Sequence, residues 1–291
     1  MHTVSKISAA ALLLVASVAS QAADWSDTSL GYRFGNKYAE PFNTSDIKKN
    51  IFNLTHASGY KYGSNFFNVD LLMSNEKDPS AFGSTDGAQE VYIVYRNTID
   101  LAKVGGPAIK FPGVRGSGIT LGFDANTKTD VGYNSKKRML VVGPTLFVDV
   151  PGFLNVSLLL LDESNQPSGT TFSTTPSSRF SVSRYSYKTH AMLTAAWGIP
   201  LSSTVPVSFE GFMNFIGSKG ANEFGGATKP ETNIDAQVML DVGALAGGAK
   251  GTFKVGVEYQ YWKNKFGNPA SGPAGKGAFA KTPMLRAEYH F

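Results

Sequence analysis

Apolar and polar residues alternate along most of this chain with a period of two. Ile234, Ala236, Val238, Leu240 and Val242 interleave with Asp235, Gln237, Met239 and Asp241. Phe253, Val255, Val257, Tyr259 and Tyr261 interleave with Lys254, Gly256, Glu258, Gln260 and Trp262. Leu285, Ala287, Tyr289 and Phe291 do the same with Arg286, Glu288 and His290. Such alternation puts one set of side chains on each face of a β-strand. It predicts twelve strands, near 29–38, 51–62, 65–74, 88–97, 118–127, 138–150, 153–161, 188–197, 205–217, 233–243, 252–263 and 282–291. Most are close to the roughly 9–11 residues that a membrane-crossing strand needs. Both faces are nearly apolar in 138–150 and 153–161. Those two either pair across Pro151-Gly152 or mark a packed interior.

The connections also alternate. With the first strand starting in the periplasm, the outer connections are 39–50, 75–87, 128–137, 162–187, 218–232 and 264–281. The inner ones are 63–64, 98–117, 151–152, 198–204 and 244–251, and four of these five are shorter than every outer one. Long external loops and short periplasmic turns are the habit of outer-membrane barrels. Segment 98–117 is too long for a tight turn and is expected to hold a small excursion or two further short strands.

Composition sharpens the choice. Residues 1–22 read as a signal peptide, with Lys6 in a basic start, an apolar run from Ala9 to Val18 and Ser20-Gln21-Ala22 before the cleavage point. The apolar run falls short of the roughly 20 residues of a spanning helix. Residues 23–291 then form one barrel domain. The chain has no cysteine, so neither a lipid anchor nor a disulfide is available. Removing Lys6 lowers the net charge from +5 to +4, too little to imply a nucleic-acid partner. Charged residues are 17 %, low for a soluble enzyme. No stretch after the leader could span a membrane as a helix, so any insertion must use strands, and strands survive in lipid as a closed barrel. A soluble sandwich would crowd its polar rows with lysine, glutamate and threonine, whereas these rows also hold glycine, serine and aromatics. The fold class expected is all-β, a transmembrane antiparallel β-barrel of twelve strands.

Facing the apolar rows to lipid sends Arg33, Asp70, Glu90, Arg96, Glu210, Asp235, Glu258, Arg286 and Glu288 to the lumen, with Lys37, Asp124, Asp149, Asp241 and Lys254 beside them. Acids outnumber bases in this set. Arg33 and Glu288 are expected to pair between the first and last strands. Tyr92, Phe212 and Trp262 interrupt the polar rows. Rings beside acids and amides suit a solute with an apolar ring and hydrogen-bonding edges, although the same rings could simply fill space. Catalytic signals are thin. Asp162, Ser186 and His190 invite a triad reading, but no catalytic motif surrounds them. The chain is expected not to be an enzyme and to need no metal or cofactor.

Asp24-Trp25-Ser26-Asp27, the strand Ser29-Leu30-Gly31-Tyr32-Arg33-Phe34-Gly35, the segment Phe66-Phe67-Asn68-Val69-Asp70-Leu71-Leu72 and the closing Glu288-Tyr289-His290-Phe291 complete the pattern. Together with the leader and the twelve-strand layout, they resemble the nucleoside-specific channel-forming outer-membrane proteins and their Vibrio phage-receptor relatives. The resemblance implies a monomeric barrel in the bacterial outer membrane, through which small hydrophilic solutes, nucleosides among them, diffuse passively. It implies contact with outer-membrane lipid and lipopolysaccharide, and with the barrel-assembly machinery through Tyr289 and Phe291. It also implies loops able to bind phage or colicin. An envelope barrel without an open pore is the alternative.

Overall fold

The computed structural model describes residues 23–107, 109–171 and 178–291, so the signal peptide expected at 1–22 lies outside the described residues. Strands β1 (Trp25–Tyr38), β2 (Ile47–Tyr60), β3 (Gly63–Ser74), β4 (Gln89–Asp100), β5 (Val114–Lys128), β6 (Arg138–Val148) and β7 (Phe153–Asn165) run in order around one sheet. Three short strands follow, β8 (Ser168–Thr171), β9 (Ser178–Ser181) and β10 (Tyr185–Ser186). The sheet resumes with β11 (His190–Pro200), β12 (Val207–Ile216), β13 (Glu231–Asp241), β14 (Phe253–Lys263) and β15 (Phe279–His290). Every neighbour pairs antiparallel, and β15 pairs with β1 from Ser29↔His290 to Gly35↔Met284. The ring of twelve long strands is therefore closed, as the sequence pattern predicts.

The alternation decides which face looks out. Leu30, Phe52, Leu140, Leu158, Val257 and Leu285 are large apolar side chains left exposed on the outer surface. Water would penalise this face, whereas hydrocarbon would not. Inward positions are mostly polar and buried, including Asp124, Asp235, Gln237, Glu258, Thr282 and Glu288. Closure leaves no unpaired strand edge, which lipid requires. The molecule is a transmembrane β-barrel.

The differences from expectation lie at strand ends. No further strand appears among the described residues of 98–117. Instead β4 runs on to Asp100 and β5 begins at Val114. The Asp100 side chain accepts from Ala102 N and caps a short 3-10 turn, Leu101–Val104, which Gly105 closes at φ 77°. The inner link 242–252 is also longer than the outer link 39–46, because β2 starts at Ile47, ahead of its expected 51, and β13 stops at Asp241, after which Val242–Leu245 forms one helical turn. Both readings of 138–150 and 153–161 hold. These segments pair as a hairpin, and Met139, Val141, Leu159, Leu161 and Met192 form an apolar patch on the inner wall. A second inner patch joins Tyr38, Ile47, Ile51 and Met284, centred on β1, β2 and β15.

Candidate functional site

The lumen is built from the inward rows of all twelve long strands and encloses a cavity of about 1290 Å³. Its lining extends from Asp27, Lys110, Ser202 and His290 at the inner end to Lys49, Trp262, Lys265 and Phe266 near the outer end. All twelve lumen candidates line it: Arg33, Asp70, Glu90, Tyr92, Arg96, Glu210, Phe212, Asp235, Glu258, Trp262, Arg286 and Glu288. Lys37 and Asp149 do not. An irregular register between Gly35 and Tyr38 turns Lys37 outward, and Asp149 follows the end of β6 in an exposed turn.

One network crosses the β13–β3 side of the wall. Arg33 pairs with Asp70 at 2.6 Å and Glu258 at 3.4 Å, spanning β14 to β3. Arg286 pairs with Glu258 at 2.6 Å and Glu288 at 2.5 Å and donates to Gln237 at 3.0 Å. The expected Arg33–Glu288 pair does not form. Register explains this, since Arg33 lies opposite Arg286 while Glu288 lies opposite Gly31. Farther round, Lys254 meets Glu210 at 3.5 Å, and Asp235 accepts a long contact from Gln260.

The facing wall carries a smaller group. Asp124 takes Arg96 at 2.6 Å and the Tyr92 hydroxyl at 3.0 Å, and Glu90 accepts from Asn126 at 2.6 Å. A ladder of hydroxyls, Thr98–Thr120–Thr145–Ser157, crosses β4 to β7 at 2.8, 2.6 and 2.8 Å. The structure does not bring Tyr92, Phe212 and Trp262 into ring contact. Trp262 packs edge-on against Phe266, with centroids 4.9 Å apart, and donates to Glu231 at 3.1 Å.

At the outer end of the cavity lies a layer that the sequence pattern did not reveal. Glu40 meets Lys49 at 2.6 Å, Lys265 at 3.2 Å and Lys128 at 3.7 Å. Lys128 also meets Asp78 at 3.1 Å and Asp130 at 3.0 Å. Across the mouth, Lys219 meets Glu163 at 2.9 Å and Glu231 at 3.9 Å. Glu40, Lys49, Asp78, Lys128, Glu163, Lys219, Glu231 and Lys265 are all buried. Burial would raise the Glu40 carboxyl, but Lys128, Lys265 and Lys49 hold it well below the usual carboxylate range. Burial lowers the Lys265 ammonium despite Glu40 beside it. Burial and then the Glu223 carboxylate push the Tyr133 phenol up, and both hydroxyls of Tyr133 and Tyr187 bond to Glu223.

The six outer loops lock this layer in a ring of hydrogen bonds. Phe42 N donates to Ala274 O, Asn43 Nδ2 to Lys77 O and Val131 N to Pro79 O. Asn134 N donates to Ser168 O, Lys188 N to Lys219 O and Lys229 N to Gly267 O, which completes the circuit. Gly277 is needed for close approach, because a Cβ there would stand 1.9 Å from Glu40 O.

No triad assembles. His190 Nδ1 contacts Lys188 O at 2.9 Å, its Nε2 lies 3.7 Å from Glu163, and Asp162 is exposed. Ser186 pairs through its backbone with Ser164 and makes no hydrogen bond to His190. At the inner end, Tyr289 and Phe291 point outward with rings 5.6 Å apart, and Phe291 N donates to Thr28 O.

No protein-family profile and no characterised protein sequence matches this chain. Among solved structures it is similar to the KdgM porin, at 10 % identity and a TM-score of 0.41, over 90 % of this chain and 99 % of that one. It is also similar to the translocator domain of the autotransporter NalP from Neisseria meningitidis, at 11 % identity and a TM-score of 0.43, over 99 % and 96 %. The β-domain of the Bordetella autotransporter BrkA gives 10 % and 0.40, over 92 % and 99 %.

Proposed function

We propose that this barrel lies in the bacterial outer membrane and lets small hydrophilic solutes diffuse through its lumen. The cavity carries the reading. It exceeds the roughly 300–1,000 Å³ of ordinary ligand pockets, and polar and aromatic groups line it from the inner end to Trp262. Most charged groups in its wall are already paired, so a solute would meet many weak contacts rather than one tight site. That suits passage, because tight binding slows exit. Nucleosides are the favoured class, on the resemblance and on the placement of Tyr92, Phe212 and Trp262 beside acids and amides. Lipopolysaccharide and the assembly machinery are the partners that this location supplies. Liposome swelling with adenosine against a sugar of similar size tests the solute class. Faster entry of adenosine is expected, and equal exclusion of both would sink it.

The buried outer layer favours a second reading, a barrel whose outer mouth is shut. Phe42, Phe82 and Phe224 are exposed on its loops and would suit a phage or adhesion receptor. That reading predicts no conductance in planar bilayers, whereas the channel reading predicts discrete openings.

A further inference from the structure

Buried lysines of this barrel are paired with acids. Four outward lysines are not. Lys263 on β14, Lys281 on β15, Lys37 on β1 and Lys48 on β2 occupy four consecutive strands and are exposed at the outer end. Lys281 lies opposite Tyr261 and Lys263 opposite Phe279, so the two are diagonal neighbours, roughly 7–8 Å apart at Cα. The irregular register between Gly35/Lys49 and Tyr38/Ile47 sets Lys37 across from Lys48. Thr282 Oγ1 donates to Lys37 O at 2.9 Å and fixes β15 beside β1 at the same height.

Among the described residues, none of these four ammonium groups forms an ion pair. Two acids in the adjoining outer loops are engaged elsewhere. Asp46 lies 3.9 Å from Lys276, and Glu76 accepts a contact from Asn75. Like charges facing one another across strands repel, so this rim calls for an anion.

The surface just below says which kind. Tyr261, Tyr259, Val257, Leu285, Phe34, Tyr32 and Phe52 continue the same outward rows into the apolar band. At the other end of these strands the outward positions are Phe253, Tyr289, Thr28 and His56, with no lysine or arginine. Among the outward strand positions of β14, β15, β1 and β2, positive charge therefore marks the outer rim alone, directly above an acyl-compatible wall, while Lys61 and Lys250 at the inner end sit in turns.

We infer that the outer rim of β14, β15, β1 and β2 binds the phosphate groups of an outer-leaflet glycolipid of the lipopolysaccharide type, whose acyl chains lie on the apolar rows beneath. The inference rests on the outer-membrane reading above. Bisphosphorylated lipid A is titrated against the detergent-purified barrel, with dephosphorylated lipid A and inorganic phosphate as separate arms. The variant K37Q/K48Q/K263Q/K281Q is compared with K61Q/K250Q, which removes charge at the inner end. At about 1 kcal/mol for each lysine near an anionic surface, the quadruple variant should bind lipid A at least tenfold more weakly. K61Q/K250Q should bind as the unaltered barrel does, and the four Lys→Arg changes should preserve binding. If the quadruple glutamine variant does not fold, K263Q/K281Q alone should still weaken lipid A binding severalfold. Equal affinity for dephosphorylated lipid A, or unchanged affinity in the glutamine variants, overturns the site. Saturation by inorganic phosphate at equal concentration points to a free-anion site and also overturns it. A barrel that fails to enter bilayers at all refutes the membrane reading instead, so the two failures are separable.

Discussion

Glu40 is one carboxylate among three ammonium groups, those of Lys49, Lys128 and Lys265. Removing one partner of a buried ion pair costs about 3–5 kcal/mol, because the other charge is left without compensation. Glu40→Gln should therefore loosen the outer cap while the strands stay paired. The pH dependence has a definite sign. The Glu40 carboxyl is held well below its ordinary value in the folded cap. Its contribution is thus full above an unfolded value of about 4.3 and is lost as pH falls below that toward the depressed folded value. Trp262, under Lys265 and Phe266, reports on the cap. In a W25F/W197F background, acrylamide quenching of Trp262 should stay low down to the ordinary carboxylate range and rise below it. The E40Q barrel should already be quenched at pH 7. Low quenching of that variant at pH 7 would remove Glu40 from the cap's stabilising groups. Little of this was legible in sequence. The Glu40 and Asp78 positions fall in loops, where no periodicity tells an inward from an outward side chain. Lys49 precedes the expected start of the second strand, although it shares the inward row of Ile47 and Ile51.

At the scale of elements, the strands were legible and the loops were not. Alternation persists wherever one face meets lipid and the other meets the lumen, so strands such as β13 and β14 declare both their existence and their orientation. Loops are specified by contacts distant in sequence, such as Phe42 with Ala274 and Asn43 with Lys77. No local pattern encodes those. The loop that carries Lys265 and Gly277 is the cap's main arch, since it contributes to the charged layer and touches the first loop. A valine at 277 would drive its Cβ into the Glu40 carbonyl, 1.9 Å away, and into Asn43 O at 2.5 Å. Backbone atoms there cannot step aside as a flexible side chain could. Gly277→Val should therefore lift the arch off the first loop. Planar-bilayer recordings should show a higher open probability, and β-sheet content by circular dichroism should be unchanged. Identical recordings from both proteins would mean that this arch does not limit the pore.

At the scale of the whole molecule, ring closure, the polar lumen and the apolar exterior form one consequence of a two-residue period carried through twelve strands. What the period leaves open is how charges pair across the lumen. Arg33 finds Asp70 and Glu258 rather than Glu288 because the register that closes β15 on β1 sets Arg33 opposite Arg286 and Glu288 opposite Gly31. Pairing also determines what a passing ion feels. The cavity wall holds eleven Asp or Glu and nine Lys or Arg side chains. A surplus of two negative charges, most of them neutralised by close partners, should give a mild cation preference and not a strong field. Glu90 is the instructive position. Its carboxylate accepts from Asn126 and has no cation within ion-pair distance among the described residues. Its charge reaches Lys128 and Lys265 only beyond ion-pair distance and otherwise acts on the lumen that it lines. Glu90→Lys makes the wall ten against ten from eleven against nine. The reversal potential in a KCl gradient should then fall to near zero. Charge changes within the paired network, such as Glu258→Gln, should instead disturb folding before they alter selectivity, because two arginines would lose their shared carboxylate. A Glu90→Lys barrel that keeps its cation preference would show that selectivity is set by the outer cap and not by the lumen wall.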